Sequence, residues 1–314
     1  MVIEERIEKG VSLAPFTSFK IGGPAKYFVE VNTQAELIES IEWAKANQCN
    51  YFVLGGGSKL IVSDNGYDGL VIKNDCRLVE INKQAIYAES GVPLSLLVSM
   101  AKRHGLSGLE WAAGLPGTVG GSIRGNAGCF GSSMAEITVS VTVYDPETKK
   151  TEEIKTSAKH FEYRSSVFAK QATVILGAKL KLHAGEESEI EAKMQENVRY
   201  RVDHQPPYPS AGSVFKNVSL DYVKSCNKDL AKIAESEQIV RNGQVGAGWI
   251  IEKIHLKGKM MGGAMISLEH GNFIVNKSLE ARAEDVVMLI SFIKQQVRLV
   301  YNIHLVEEII YLGF

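Results

Sequence analysis

Apolar and polar positions along this chain follow short stretches of changing period. "AKYFVEVNT" has the pattern of a strand, and the next stretch, "TQAELIESIEWAKANQ", switches to helical spacing with Leu37, Ile38, Ile41 and Ala44 on one stripe. "YFVLGGGSKLIVSD" then reads as a strand, a glycine turn and a second apolar strand, so a small β-α-β unit is expected near the start. Short strands are predicted at "GLVIK", "LVEI" and "AIYAES". "PLSLLVSMAKRHG" reads as a helix with proline early, where its missing N–H costs nothing, and glycine at its end. "ITVSVTVYD", the turn "PETKK" and "TEEIKT" predict a hairpin, and "TVILGAKLKLH" a further strand. The charged "AGEESEIEAKMQENVRYR" reads as a linker passing into an exposed helix. Toward the end, "SLEARAEDVVMLISFIKQQVRLVYN" predicts a long amphipathic helix with apolar residues at 286, 289, 290, 293, 297 and 300, and "IHLVEEIIYLGF" a closing strand.

This mixture is α+β, and 314 residues suffice for two or three domains, each with its own core. Hydrophobic residues at 45% and charged residues at 23% are those of a globular fold, and a formal charge of −1 gives no general pull toward nucleic acid or a membrane surface. Cys49, Cys76, Cys129 and Cys226 are far apart and form no C-x-x-C, which argues against a disulfide framework and against a metal site. "MVIEERIEKG" lacks the apolar core of a signal peptide. The most apolar helical stretch is broken by Lys294, Gln295, Gln296 and Arg298, so no membrane insertion is expected. A reduced, cytoplasmic protein is the simplest reading.

Chemistry enters with two glycine-rich stretches. "GLPGTVGGSIRGNAG" carries six glycines in fifteen residues, with Leu115, Val119 and Ile123 recurring every fourth position and Arg124 among them. A solvated linker has no use for that apolar spacing, whereas glycines anchored in a core can bring backbone N–H groups close to an anion. "LGGGSKL" is no P-loop, because lysine follows the hydroxyl residue, and Gly55 and Gly57 lack the third glycine of a dinucleotide fingerprint. Two such turns at strand ends suit one extended ligand with a pyrophosphate, such as a dinucleotide cofactor.

Three further stretches stand out. Arg164 in "HFEYRSSVFAK" is either a surface arginine at a strand end or a ligand-binding one. Ser213 in "PSAGSVFKN" follows a glycine, which is usually turn chemistry, and no G-x-S-x-G elbow surrounds it. Glu307 and Glu308 lie in an apolar strand, where alternation turns one of them inward; a lone inward glutamate is a liability unless paired or used.

The ordered set "FTSFKIGGPA", "LGGGSKLIV", "GLEWAAGLPGTVGGSIRGNAGCFG", "YRSSVF", "SAGSVFKN", "AGWIIEKIHLKGKMMGGAMIS", "NFIVN" and "HLVEEIIYLG" resembles the UDP-N-acetylenolpyruvoylglucosamine reductase family, the MurB-type flavoenzymes of peptidoglycan synthesis, over nearly the whole chain. The resemblance implies a two-subdomain FAD-binding fold of the vanillyl-alcohol-oxidase (PCMH) type plus an α+β substrate-binding domain. By position these are residues 1–75 with the 303–314 strand returning, 76–186, and 187–302. It implies reduction of the enolpyruvyl ether of UDP-N-acetylglucosamine to UDP-N-acetylmuramate, with non-covalent FAD, NADPH as hydride donor, a UDP-sugar as the partner molecule, and a monomer. The residues it marks as catalytic are Arg164, Ser213 and Glu308. Cofactor contacts fall on Gly55, Gly56, Gly57, Ser58, Lys59, Pro116, Gly117, Thr118, Gly120, Gly121, Ser122, Arg124, Asn126 and Ala127, and substrate contacts on Asn217 and Lys257.

Position 59 is lysine where the family usually has asparagine. Residues 218–245 are long and charged with no role assigned, and the short interval between Arg164 and Ser213 implies the family's shorter, second type. Two rivals remain: a flavin-dependent oxidase of the same fold, which needs no proton-donating serine, and a non-catalytic flavin-binding protein, which needs none of the three catalytic positions.

Overall fold

The computed structural model describes residues 3–314. Its contacts separate into two compact units whose segments interleave along the chain. The first holds the chain up to Val11, Ala25–Gly56 and Asp68–Asp203; the second holds Ser12–Pro24, Gly57–Tyr67 and His204–Phe314.

In the first unit a four-stranded sheet runs in the order Glu8–Ser12, Pro24–Val31, Tyr67–Asn74, Tyr51–Leu54. The expected β-α-β unit is present in sequence, but Tyr67–Asn74 inserts between its two strands and pairs parallel to Tyr51–Leu54. Helix Gln34–Ala46 starts at Thr33, whose hydroxyl accepts from the Glu36 N–H at 3.2 Å while Glu36 accepts from the Asn32 N–H at 2.8 Å. Leu37, Ile41 and Ala44 of that helix are fully buried against Val29, Val31, Leu70 and Ile72 of the sheet.

A second, antiparallel sheet runs Lys150–Lys155, Thr138–Asp145, Val174–Lys181, Ala85–Glu89, Val79–Asn82. Its inward residues Ile86, Val141 and Val143 share a core with Leu97 and Val98 of helix Leu94–Arg103 and with Val119 and Ile123 of the short helix Val119–Arg124. Helix Glu187–His204 is charged as the sequence suggested, yet it is more than an exposed linker, because Ile190, Asn197 and Arg201 are buried. Asn197 Nδ2 donates to the Glu110 carbonyl at 2.9 Å, and the Arg201 guanidinium donates to the carbonyls of Ala113 and Trp111, each at 2.9 Å. The two side chains thus satisfy their own buried donors and tie this helix to residues 110–113.

The second unit is built on a sheet ordered Ser210–Ser213, Phe273–Val275, Ala264–Ile266, Met260–Met261. Helix Ala283–Tyr301 packs Val286, Leu289, Ile290, Ile293 and Val297 into this unit's core; Val300, expected on the same stripe, is exposed in the last turn. Residues 218–245 form helices Leu220–Cys226 and Lys228–Ser236, closed by pairing of Val218–Ser219 with Gln244–Val245. They contribute Val223, Leu230, Ala231 and Ala234 to the core and turn their charges to solvent. The closing strand is shorter than expected: only Ile310–Leu312 is extended, parallel to Leu60–Val62.

Among the described residues no helix is long and apolar enough to cross a membrane, no acidic, histidine or cysteine group is arranged to hold a metal, and the four cysteines are free.

Candidate active site

In the first unit the two glycine turns meet. A Cβ on Gly55 would stand 2.6 Å from Thr118 Oγ1, and one on Gly56 would stand 2.8 Å from the Gly117 Cα. Gly117 has φ +127, a conformation that side chains rarely adopt. Gly120 is seated equally tightly, with its N–H donating to the Ser90 carbonyl at 2.9 Å and Ser90 Cβ 2.7 Å from where its own Cβ would be. Thr118 caps the Val119–Arg124 helix through the Gly121 N–H, and Ser122 is buried in that helix. Pro116 immediately precedes this turn. This wall is made of backbone, as approach to a pyrophosphate requires. The residues present therefore fit FAD, with Gly55, Gly56 and Pro116–Ser122 as the candidate holders.

The polar residues that follow have a second task. Arg124 donates to the carbonyls of Phe168 and Ala169 at 2.9 and 3.1 Å, and burial pushes its guanidinium pKa down. Asn126 donates to the Glu162 carbonyl at 3.0 Å and accepts from the Ala135 N–H at 3.1 Å. Ser166 Oγ donates to the Arg124 carbonyl at 2.8 Å, and the Ala127 carbonyl accepts from the Met134 N–H at 2.9 Å. The glycine segment thus carries the small hairpin in which Phe161 pairs with Ser166 and Glu162 with Ser165. Tyr163 and Arg164 form its two-residue turn, with Arg164 at φ +54 and its guanidinium carbon 5.2 Å from the Tyr163 ring centre. A left-handed non-glycine residue costs about 1–3 kcal/mol and persists where surrounding bonds overdetermine it.

In the second unit three distant segments are sewn together by backbone hydrogen bonds. The Ile310 N–H donates to the Lys59 carbonyl, the Glu308 N–H to the Val214 carbonyl and the Lys216 N–H to the Val306 carbonyl, each at 2.8 Å. Asn272 locks the middle segment by accepting from the Phe215 N–H at 2.9 Å and donating to the Phe215 carbonyl at 2.8 Å. Pairing between Ser210–Ser213 and Phe273–Val275 is irregular just before Ser213, where Gly212 sits at φ +69. Such a bulge re-aims the following side chain. Lys59 reaches over this bulge: its Nζ lies 3.1 Å from Glu308 Oε1 and donates to the Ser213 carbonyl at 2.8 Å.

The glutamate pair does not divide into one inward and one outward residue, because 307–308 lie outside the regular strand and both are half-buried. Glu307 accepts from Lys294 Nζ at 2.7 Å and from the Tyr311 hydroxyl, whose pKa burial and that carboxylate push up. Gly57 and Ser58 precede Lys59 in the second unit; Gly57 has φ +60, and a Cβ there would meet the Phe16 carbonyl at 2.1 Å. Asn217 Oδ1 accepts from the Ala247 N–H at 3.2 Å at the start of helix Ala247–Lys253, and Lys257 pairs with Glu252 at 3.1 Å. Sequence reasoning missed Asn272, whose only signal is a polar residue at the head of the apolar "NFIVN" strand.

Residues 25–152 match the model of an FAD binding domain, and residues 204–312 match that of the UDP-N-acetylenolpyruvoylglucosamine reductase C-terminal domain. The two together define a flavoprotein class in which a cofactor domain precedes a dedicated reductase domain. Curated UDP-N-acetylenolpyruvoylglucosamine reductases are similar over nearly full length. That of Synechococcus sp. (strain RCC307) is 35% identical over 98% of this chain and 94% of its own, and that of Halalkalibacterium halodurans 36% identical over 96% and 93%. The crystal structure of the Thermus caldophilus reductase superposes with a TM-score of 0.77 at 34% identity, covering 98% of this chain and 99% of that one. The chain belongs to the UDP-N-acetylenolpyruvoylglucosamine reductase family.

Proposed function

We propose that this chain carries out its family's reaction, the FAD-dependent reduction by NADPH of the enolpyruvyl ether of UDP-N-acetylglucosamine to UDP-N-acetylmuramate, and that Arg164, Ser213 and Glu308 are its working side chains. The observation that carries the reading is the backbone wall formed by Gly55, Gly56 and Gly117 in a chain that also retains those three residues, which flavin binding alone does not need.

FAD held by Gly55, Gly56 and Pro116–Ser122, once reduced by NADPH, would supply the hydride. The substrate's double bond is conjugated to a carboxylate, so hydride addition at its β-carbon places negative charge on an enolate. Arg164 binds the carboxylate through two N–H donors, fixes the double bond for attack and stabilises the growing charge. Ser213 gives its hydroxyl proton to the α-carbon and completes the reduction; a hydroxyl positioned for such a transfer contributes about 10²–10⁴ in rate. Glu308 acts at the same protonation step. Asn217 and Lys257 hold polar parts of the sugar nucleotide. Four free cysteines suit a reducing compartment, and we place the enzyme in the cytoplasm, working as a monomer.

Anaerobic stopped-flow absorbance of the purified yellow protein tests the reading. NADPH should bleach the flavin and the enolpyruvyl sugar nucleotide should restore it; a bleached enzyme that this substrate cannot reoxidise rejects the function. Ser213→Ala should bleach at the wild-type rate and recover at least about 100-fold more slowly. Equal recovery removes Ser213 from the mechanism.

A further inference from the structure

We infer that Lys59 is a positioning residue for the protonation step, holding the Glu308 carboxylate and the Ser213 backbone in one geometry and cancelling the charge of Glu308. This rests on the reaction proposed above and assigns to it a residue whose position in the first glycine turn suggested only a cofactor contact.

One ammonium makes both contacts, at 3.1 Å to Glu308 Oε1 and 2.8 Å to the Ser213 carbonyl. Charge-assisted bonds of this length are among the stronger ones a protein makes. The Glu308 side chain keeps 15% of its exposure and that of Lys59 35%, so the pair is partly withdrawn from water, where charges act on each other more strongly. The lysine is itself held. Its carbonyl accepts from the Ile310 N–H, and the three residues after it form the strand paired with Ile310–Leu312. Gly212, at φ +69, lets the chain turn beneath the ammonium; a Cβ there would already be 3.5 Å from Nζ.

The charge argument gives the contact its consequence. A bare carboxylate beside an enolate would oppose the negative charge that the reaction builds. Paired with an ammonium, Glu308 adds no net charge there, and the cation favours the enolate. The hold on the Ser213 carbonyl fixes the backbone from which the proton-donating hydroxyl projects. A neutral side chain at position 59 could accomplish neither electrostatic effect.

The test is a double-substitution cycle in the flavin-loaded protein, using Lys59→Met, Lys59→Arg, Glu308→Gln and the Lys59→Met/Glu308→Gln double variant. Bleaching by NADPH and reoxidation by the enolpyruvyl sugar nucleotide are followed separately. Lys59→Met should lower the reoxidation rate at saturating substrate about tenfold or more, leaving half-saturation and bleaching unchanged, and Lys59→Arg should restore most of the rate. In the Glu308→Gln background the same substitution should cost at least about threefold less than in the wild type, the remaining loss reporting the hold on the Ser213 carbonyl, since coupled residues are not additive. Equal losses in both backgrounds, or slowed bleaching, overturn the inference. Loss of bound flavin from both Lys59→Met and Lys59→Arg also overturns it and assigns the lysine to the cofactor. A wild-type enzyme that the sugar nucleotide fails to reoxidise rejects the underlying function, a result distinct from all of these.

Discussion

Gly56 and Gly117 touch backbone to backbone: a methyl group on Gly56 would lie 2.8 Å from the Gly117 Cα, and no flexible side chain is there to yield. Gly56→Ala should therefore push the two turns apart, at about 1–3 kcal/mol for overpacking, and lower flavin affinity at least tenfold. Titration of the apoprotein with FAD, followed by flavin fluorescence, measures this. Gly246→Ala, where a Cβ meets nothing within 4 Å, serves as the control and should bind flavin normally.

Arg164 combines a left-handed backbone with a stacked guanidinium. Lysine keeps the charge but loses the planar fork that grips a carboxylate at two points. Arg164→Lys should leave bleaching by NADPH intact and slow reoxidation by about 10²-fold, the penalty for losing orientation at the reacting carbon. Single-turnover kinetics separate the two half-reactions; a reoxidation rate within twofold of wild type would deny the arginine its role.

Asp64 caps a helix far from it in sequence. Its two carboxylate oxygens accept from the N–H groups of Ala283 and Glu284 at 3.0 and 3.1 Å, at the start of Ala283–Tyr301. Asp64→Ala should destabilise the protein by about 1–2 kcal/mol, the usual value of a charged cap. The urea midpoint should fall while turnover by the remaining folded enzyme stays at wild-type levels.

His270 gives a pH dependence with a defined sign. Its Nδ1 accepts from the Asn272 N–H at 3.1 Å, and burial lowers its pKa below the ordinary 6.5, against an opposing pull from Glu252 and with a smaller push from Lys257. Below pH 6.5 the unfolded chain therefore binds the proton more readily than the folded one, so stability falls as pH drops through that window. His270→Gln should flatten the fall in urea midpoint between pH 7 and pH 5; an unchanged slope would place the pH sensitivity elsewhere.

Much of the fold was legible because single segments carry their own periodicity. The 283–301 helix was visible in five apolar positions that all reach the core, while Val300 was misplaced because the last turn runs beyond what it covers. Residues 218–245 concealed their two helices under surface charge, although Val223, Leu230, Ala231 and Ala234 have the spacing of buried faces. Arg201 and Asn197 looked solvent-exposed for a reason no local pattern exposes: their partners are backbone carbonyls of residues 110–113, some ninety positions earlier in the chain.

The candidate site was less legible. Glycine-rich turns and the residues marked by the resemblance could be named from sequence, but the task of each depends on pairings across long separations. Lys59, Ser213 and Glu308 are joined only through strands that meet in three dimensions, which a lysine beside three glycines does not announce. Arg124 and Asn126, marked by the resemblance for the cofactor, also hold the hairpin that bears Arg164, through partners some forty residues away.

The parallel pairing of Leu60–Val62 with Ile310–Leu312 also sets a timetable for synthesis. At about 5–20 residues per second, a ribosome leaves the earlier strand without its partner for tens of seconds. During that interval a fully buried triplet of Leu, Ile and Val presents an open edge, and the Lys59 carbonyl lacks its donor. The nascent chain thus carries this open edge while its cofactor half is already complete, and the Lys59–Glu308 pair forms only once residues 308–312 have emerged.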